Sequence, residues 1–107
     1  MSRRADFDRV FRRGRRQEGS LLGLRAAPNE RALSRYAYSI SKRVGNAVVR
    51  NRIRRRLREA VRALPLREGW DIVFLARPAA ATSDFQSLKA EMRSLVERAR
   101  LLPKDEA

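Results

Sequence analysis

The 107 residues include no cysteine and no histidine. The first absence removes thiolate chemistry and any disulfide framework, and it fits a reducing compartment. The second removes the commonest general base, and together they remove nearly every zinc site. Acidic residues are scarce and scattered, 12 against 26 Lys and Arg. Asp6 and Asp8 are close neighbours, but they read as first-turn helix charges rather than a catalytic pair. There is no Gly-rich phosphate loop and no Gly-x-Ser-x-Gly turn. An enzyme carrying its own active site is therefore not expected. No apolar run approaches the roughly 18 residues that a membrane span needs. Met1 is followed by Ser2-Arg3-Arg4 with no apolar signal region behind them, so a soluble, cytoplasmic chain is expected.

What is abundant is positive charge. The formal net charge is +14, and 23 of the 26 cationic residues are Arg. A field of that sign concentrates polyanions. Guanidinium grips phosphate with a planar fork and also stacks on bases. Hydrophobic residues make up 43% of the chain, too many for a disordered basic tail. One small domain over residues 1–107 with a modest core is expected, and nucleic acid is the expected partner class.

Periodicity outlines the elements. Residues 2–13 suit a short helix with Phe7, Val10 and Phe11 on one stripe and Gly14 as its stop. From spacing alone, the two Phe read as anchors onto a sheet. Leu21–Ala27 and Arg35–Ser41 read as strands, and Gly14–Glu18 as a possible short strand before them. In the second strand Tyr36, Tyr38 and Ile40 share one face. Gly45-Asn46 marks a turn with Asn46 as N-cap, and a helix from Ala47 to about Leu64 follows, ended by Pro65. Trp70–Ala76 is nearly all apolar and suits an interior strand. Ser83 and Gln86 form a capping box for a last helix running to about Leu101, and 103–107 read as a frayed tail. Helix, two or three strands, helix, strand, helix is an α+β sandwich of one sheet and packed helices.

The second helix carries the functional signal. At 100° per residue Val49, Ile53, Leu57, Ala60, Val61 and Leu64 form a core-facing stripe. Arg50, Arg54 and Arg58 line one flank, Arg52 and Arg56 the other, and Arg55 and Arg62 point away from the core. Lys42 through Arg58 holds eight basic residues and no acid. Like charges at i, i+4 cost a few tenths of a kcal/mol per pair, so the pattern implies an anionic partner. A groove between a basic helix and a sheet suits a single strand, with Arg on phosphates and aromatics under bases. Phe7, Phe11, Tyr36 and Tyr38 are the aromatic candidates. A ribosomal or RNA-chaperone protein and a DNA-binding regulator are the alternatives.

The run K-R-V-G-N-A-V-V-R-N-R-I-R-R-R-L-R-E, Lys42 to Glu59, resembles the signature of the bacterial ribonuclease P protein subunit, centred on Arg50-Asn51-Arg52. D-F-D-R-V-F-R-R-G, Asp6 to Gly14, resembles that family's first helix. D-I-V-F-L-A-R-P-A, Asp71 to Ala79, resembles its last strand. The resemblance implies an α-β-β-β-α-β-α fold, with a mixed sheet and a left-handed βαβ crossover through the basic helix. It implies a noncatalytic subunit of an endoribonuclease. A large RNA, using Mg²⁺ that the protein does not bind tightly, would cleave the 5′ leader from precursor tRNA. The implied partners are ribonuclease P RNA and precursor tRNA, with no membrane and no further protein required. The implied leader cleft holds Phe7, Phe11, Arg50, Asn51, Arg54 and Arg58, which turns the two Phe into a stacking wall. Lys42, Arg43, Asn46, Arg52, Arg55 and Arg56 go to the catalytic RNA, and the Asn51 side-chain carbonyl is a possible metal ligand. Two features depart from the pattern. Only five residues precede Asp6, so the first helix is expected to start frayed. Leu22-Gly23-Leu24 stands where many members carry a cleft-facing aromatic.

Overall fold

A computed structural model describes residues 3–103. Helix α1 spans Arg4–Arg13, and strands β1 (Arg15–Glu18), β2 (Leu22–Pro28) and β3 (Arg35–Ile40) follow. Helix α2 spans Ala47–Arg62, strand β4 Trp70–Ala76, a 3₁₀ turn Pro78–Thr82, and helix α3 Phe85–Arg98. Ser2, expected at the helix start, and 104–107, most of the expected tail, lie outside the described residues.

One mixed sheet with the order β1-β2-β4-β3 organises the molecule. β4 runs antiparallel to β2 and parallel to β3, and the β3-to-β4 connection passes through α2. The apolar run at 70–76 thus takes an interior place, with its first five residues buried. Alternation divides each strand between two faces. Leu22, Leu24, Ala26, Ile40, Ile72 and Phe74 join Ile53 and Leu57 of α2 and Leu88, Met92 and Leu95 of α3 in the main core. On the other face Val73 and Ala27 pack under Val10 of α1, with Phe7, Ala37 and Leu75 around them.

The helix ends differ from the pattern reading for local reasons. α2 stops at Arg62 because Ala63 and Leu64 tighten into i→i−3 bonds to Ala60 and Val61, and Pro65 has no N–H to offer. α3 stops at Arg98 in a Schellman turn. Arg100 takes φ 58°, and the Leu101 amide returns to the Val96 carbonyl at 2.9 Å. The expected capping box shifts by one residue. Asp84 is the N-cap, accepting from the Ser87 amide at 2.6 Å, while the Ser83 hydroxyl donates to Ala80 and closes the 3₁₀ turn.

Gly14 stops α1, but not as a left-handed cap, since its φ is −79°. A Cβ there would stand 2.2 Å from the Val10 carbonyl oxygen and 2.6 Å from that of Ala26. The constraint is backbone pressed on backbone where α1 turns into β1. Gly14→Ala should destabilise the fold by about 2 kcal/mol, as overpacking against immovable atoms does. A lowered urea midpoint at unchanged m-value is the expected result.

Candidate nucleic-acid interface

The second helix is built as its wheel implies. The Asn46 side chain accepts from the Val49 amide at 3.0 Å and starts α2. Ile53, Leu57, Ala60 and Val61 are buried, and Val44 pins the preceding turn into the core. The two Arg flanks then meet different surroundings. Arg52 donates to the Ala81 carbonyl at 3.1 Å and Arg56 to the Ser83 carbonyl at 3.3 Å. That flank is docked on the 3₁₀ turn. On the opposite flank, Arg58 lies near Tyr38 of the edge strand β3. Burial pushes the Tyr38 phenol above its usual range, and the Arg58 and Arg62 charges oppose that rise. Arg54 donates to the Asn51 side-chain oxygen at 3.3 Å. Lys42, Arg43, Asn46 and Arg55 are exposed. Among the described residues, no carboxylate forms a salt bridge with the basic side chains of Lys42–Arg58, and Glu59 pairs only with Arg62.

The aromatic candidates separate. Phe7 is half-buried against the α1-side cluster, so anchoring is part of its role. Phe11 is 44% exposed, with the Arg25 guanidinium 5.9 Å from its ring centre. Tyr36 and Tyr38 pack on the main core, on the other face of the sheet from Phe7. They are not floor residues of a cleft beside α1. The β2 side chain that reaches Phe11 is Arg25. Strand alternation carried that signal, since Gly23, Arg25 and Ala27 share a face opposite Leu22, Leu24 and Ala26.

The position of α1 depends on a buried charge that the pattern reading passed over. The Asp71 side chain is 0% exposed. Arg35 binds it with both arms of its fork, Nε to Oδ1 at 2.8 Å and Nη2 to Oδ2 at 2.6 Å. Asn29 donates at 3.0 Å, and Arg9 of α1 pairs with Oδ2 while also donating to the Pro28 carbonyl. Burial drives the Asp71 carboxyl upward, but the Arg35 and Asn29 hydrogen bonds with the Arg35 and Arg9 charges outweigh it, leaving it below its ordinary value. A lone acid inside W-D-I-V-F-L-A was the available clue, because a buried carboxylate must be paired. A cavity of about 380 Å³ lies beside this network, between α1 and the β2–β3 loop, lined by Arg13 and Arg31 among others. It contains none of the residues the resemblance assigns.

Comparison with known proteins decides the family. The family model described as Ribonuclease P matches residues 1–100. The chain belongs to the ribonuclease P protein family. A ribonuclease P protein component from Roseiflexus castenholzii is 51% identical over 96 residues, covering 87% of this chain and 79% of that relative. One from Dehalococcoides mccartyi is 41% identical over 104 residues, covering 97% and 87%. The ribonuclease P protein of Staphylococcus aureus superposes with a TM-score of 0.86 at 26% identity, covering 96% of both chains. That of Thermotoga maritima, solved with 1-(4-fluorophenyl)-2-thiourea, shares the fold with a TM-score of 0.83, covering 92% of this chain and 97% of that one.

A ribonuclease P protein is implied to work beside Mg²⁺, and the side chains here are a poor cage for it. No group of three or more His, Cys, Asp or Glu side chains is placed to hold a metal ion among the described residues. The Asn51 oxygen already accepts from Arg54, and a dication beside these guanidiniums would need anionic oxygens from another molecule.

Because the folded Asp71 carboxyl titrates below its unfolded value of about 3.9, its stabilisation is complete above that pH. It is lost as pH falls through the lower folded value. Asp71→Ala should cost about 3 kcal/mol at neutral pH, since Arg9 and Arg35 lose their buried counter-charge. Urea titrations from pH 7 to pH 2 should show a smaller loss of stability below pH 4 in the variant than in the wild type.

Proposed function

We propose that this chain is the RNA-binding, noncatalytic protein subunit of ribonuclease P. Family membership implies a role in tRNA 5′ processing. In this reading the catalytic RNA, with Mg²⁺, performs the phosphodiester hydrolysis. The protein contributes a surface for that RNA and for the leader of precursor tRNA. The observation that carries the reading is the basic stretch of Lys42–Arg58, with which no carboxylate forms a salt bridge among the described residues.

The two flanks suggest how the work is divided. A single strand crossing the sheet from α1 toward the β3 edge would meet the Phe11 ring first. It would then meet Arg50, Arg54 and Arg58, with Asn51 between them. Stacking on the ring tolerates any base, and the arginines neutralise successive phosphates, releasing counterions. This suits leaders that differ in sequence. Lys42, Arg43, Asn46 and Arg55, exposed at the start and outer face of α2, with Arg52 and Arg56, form the surface for the catalytic RNA. Arg52 and Arg56 each spend one donor on the 3₁₀ turn, and a guanidinium has five, so both keep donors for RNA.

Reconstitution tests the reading. The purified chain mixed with a bacterial ribonuclease P RNA at low Mg²⁺ should increase 5′ cleavage of precursor tRNA, and no increase overturns the proposal. The holoenzyme should bind precursor tRNA more tightly than mature tRNA. Phe11→Ala should reduce that preference by roughly 5- to 100-fold, the worth of one base–aromatic stack. Arg54→Ala should lower the salt slope of leader binding by about 0.7, the value for one single-strand phosphate. Equal loss of affinity for both RNAs in each variant would reject the leader assignment.

A further inference from the structure

A second cationic cluster lies on the sheet face beside Phe11, outside the basic helix. The β1–β2 register pairs Arg16 with Arg25 and Glu18 with Gly23, so these four residues share the face that Phe11 overlooks. Arg77, just after β4, joins them. Its Nε donates to the Gly19 carbonyl at 2.8 Å, and its Nη2 pairs with Glu18 Oε2. Glu18 Oε1 meets Arg16 Nε at 2.8 Å and Arg25 Nη1 at 2.9 Å. One carboxylate therefore serves three guanidiniums.

Three observations mark this as more than a surface ion pair. The Arg25 side chain is only 14% exposed, and burial, with the Arg16 charge beside it, lowers its pKa. Negative charge is in deficit there even with Glu18 in place. Gly23 leaves the space in which the pair meets, since a Cβ would stand 3.2 Å from Glu18 Oε2 and 3.3 Å from Arg77 Nη2. The Arg25 guanidinium that grips Glu18 also lies over the Phe11 ring, so an anion held here sits next to the exposed stacking surface. Guanidinium forks fit carboxylate and phosphate alike, and a phosphodiester carries the same single negative charge as Glu18.

We propose that Arg16, Arg25 and Arg77 form a phosphate subsite for the RNA strand that crosses the sheet, occupied in the free protein by the Glu18 carboxylate, which an RNA phosphate displaces. The proposal rests on the leader reading above. It makes Glu18 an internal competitor that weakens leader binding, and it gives the face around Gly23 an ionic contact with the strand. Glu18 leaves toward solvent, to which it is already partly open.

The holoenzyme with precursor and mature tRNA supplies the test. Glu18→Gln should tighten precursor binding by about 2- to 5-fold, the worth of a partly exposed ion pair, and leave mature tRNA unchanged. Unchanged or weaker precursor binding by a Glu18→Gln variant of wild-type melting temperature overturns the proposal, because Glu18 would then only brace β1. If that variant melts early, Arg25→Gln decides. The subsite requires a lower precursor preference and a shallower salt slope, whereas a bracing role changes neither. Wild-type protein that does not distinguish the two RNAs rejects the leader reading itself. If Phe11→Ala erodes the preference while Glu18→Gln and Arg25→Gln do not alter it, only the subsite is rejected.

Discussion

The Asp71 carboxylate is the constraint on which the rest of the structure depends. It lies in an interior strand with no access to water, where an unpaired charge would cost several kcal/mol. Its partners come from three separate places: Arg35 of β3, Asn29 of the β2–β3 loop, and Arg9 of α1. Satisfying one buried charge therefore ties the edge strand, the loop and the first helix to β4. The apolar contact under α1 is small, with Val10, Ala27 and Val73 as its buried members. Such a patch gives attraction without direction, and the charge network supplies the direction. It is also what holds Phe11 over the sheet.

The second organising fact is the unequal treatment of charge. At a net +14 self-repulsion opposes folding, and the chain spends its few acids selectively. Asp71 locks α1, and Glu91 accepts from the Leu21 and Leu22 amides and holds the β1–β2 turn. Glu18 gathers Arg16, Arg25 and Arg77. Among the described residues none forms a salt bridge with the basic side chains of Lys42–Arg58, although Asp84 at the start of α3 feels the Arg56 charge. The positive charge left uncompensated is concentrated on α2, where the proposed RNA partner would neutralise it.

Much of the fold was legible because helical and strand periods differ so clearly here. α2 was readable from its stripe of Val49, Ile53, Leu57, Ala60 and Val61, and β4 from a run with only one polar member. That member was the point where reading by pattern stopped, because periodicity says that Asp71 is buried and not which cations surround it. The shared face of the two tyrosines was legible, but not its surroundings. Alternation put Tyr36 and Tyr38 on a common face, but which face α1 would cover was a question of packing. The helix ends moved by two or three residues, since i→i−3 bonds and a Schellman turn are decided by a few backbone angles that composition does not encode.

By itself the sequence determined the partner class, the absence of cysteine and histidine chemistry, the amphipathic basic helix and the family. Charge balance, residue types and spacing are properties of the chain before it folds. Only the tertiary structure decided that Arg52 and Arg56 dock on the 3₁₀ turn while Arg58 lies near Tyr38 of the β3 edge. It also decided that Phe7 is half-buried against the α1-side cluster and Phe11 an open ring, and that Arg25 and Arg77 meet over Glu18 where Gly23 leaves room. These outcomes depend on which surfaces come together from separate parts of the chain, as Arg52 does with Ala81, 29 residues away, and Arg56 with Ser83, 27 residues away. Such distances are settled by burial and by the pairing of buried charge, neither of which a local pattern can express.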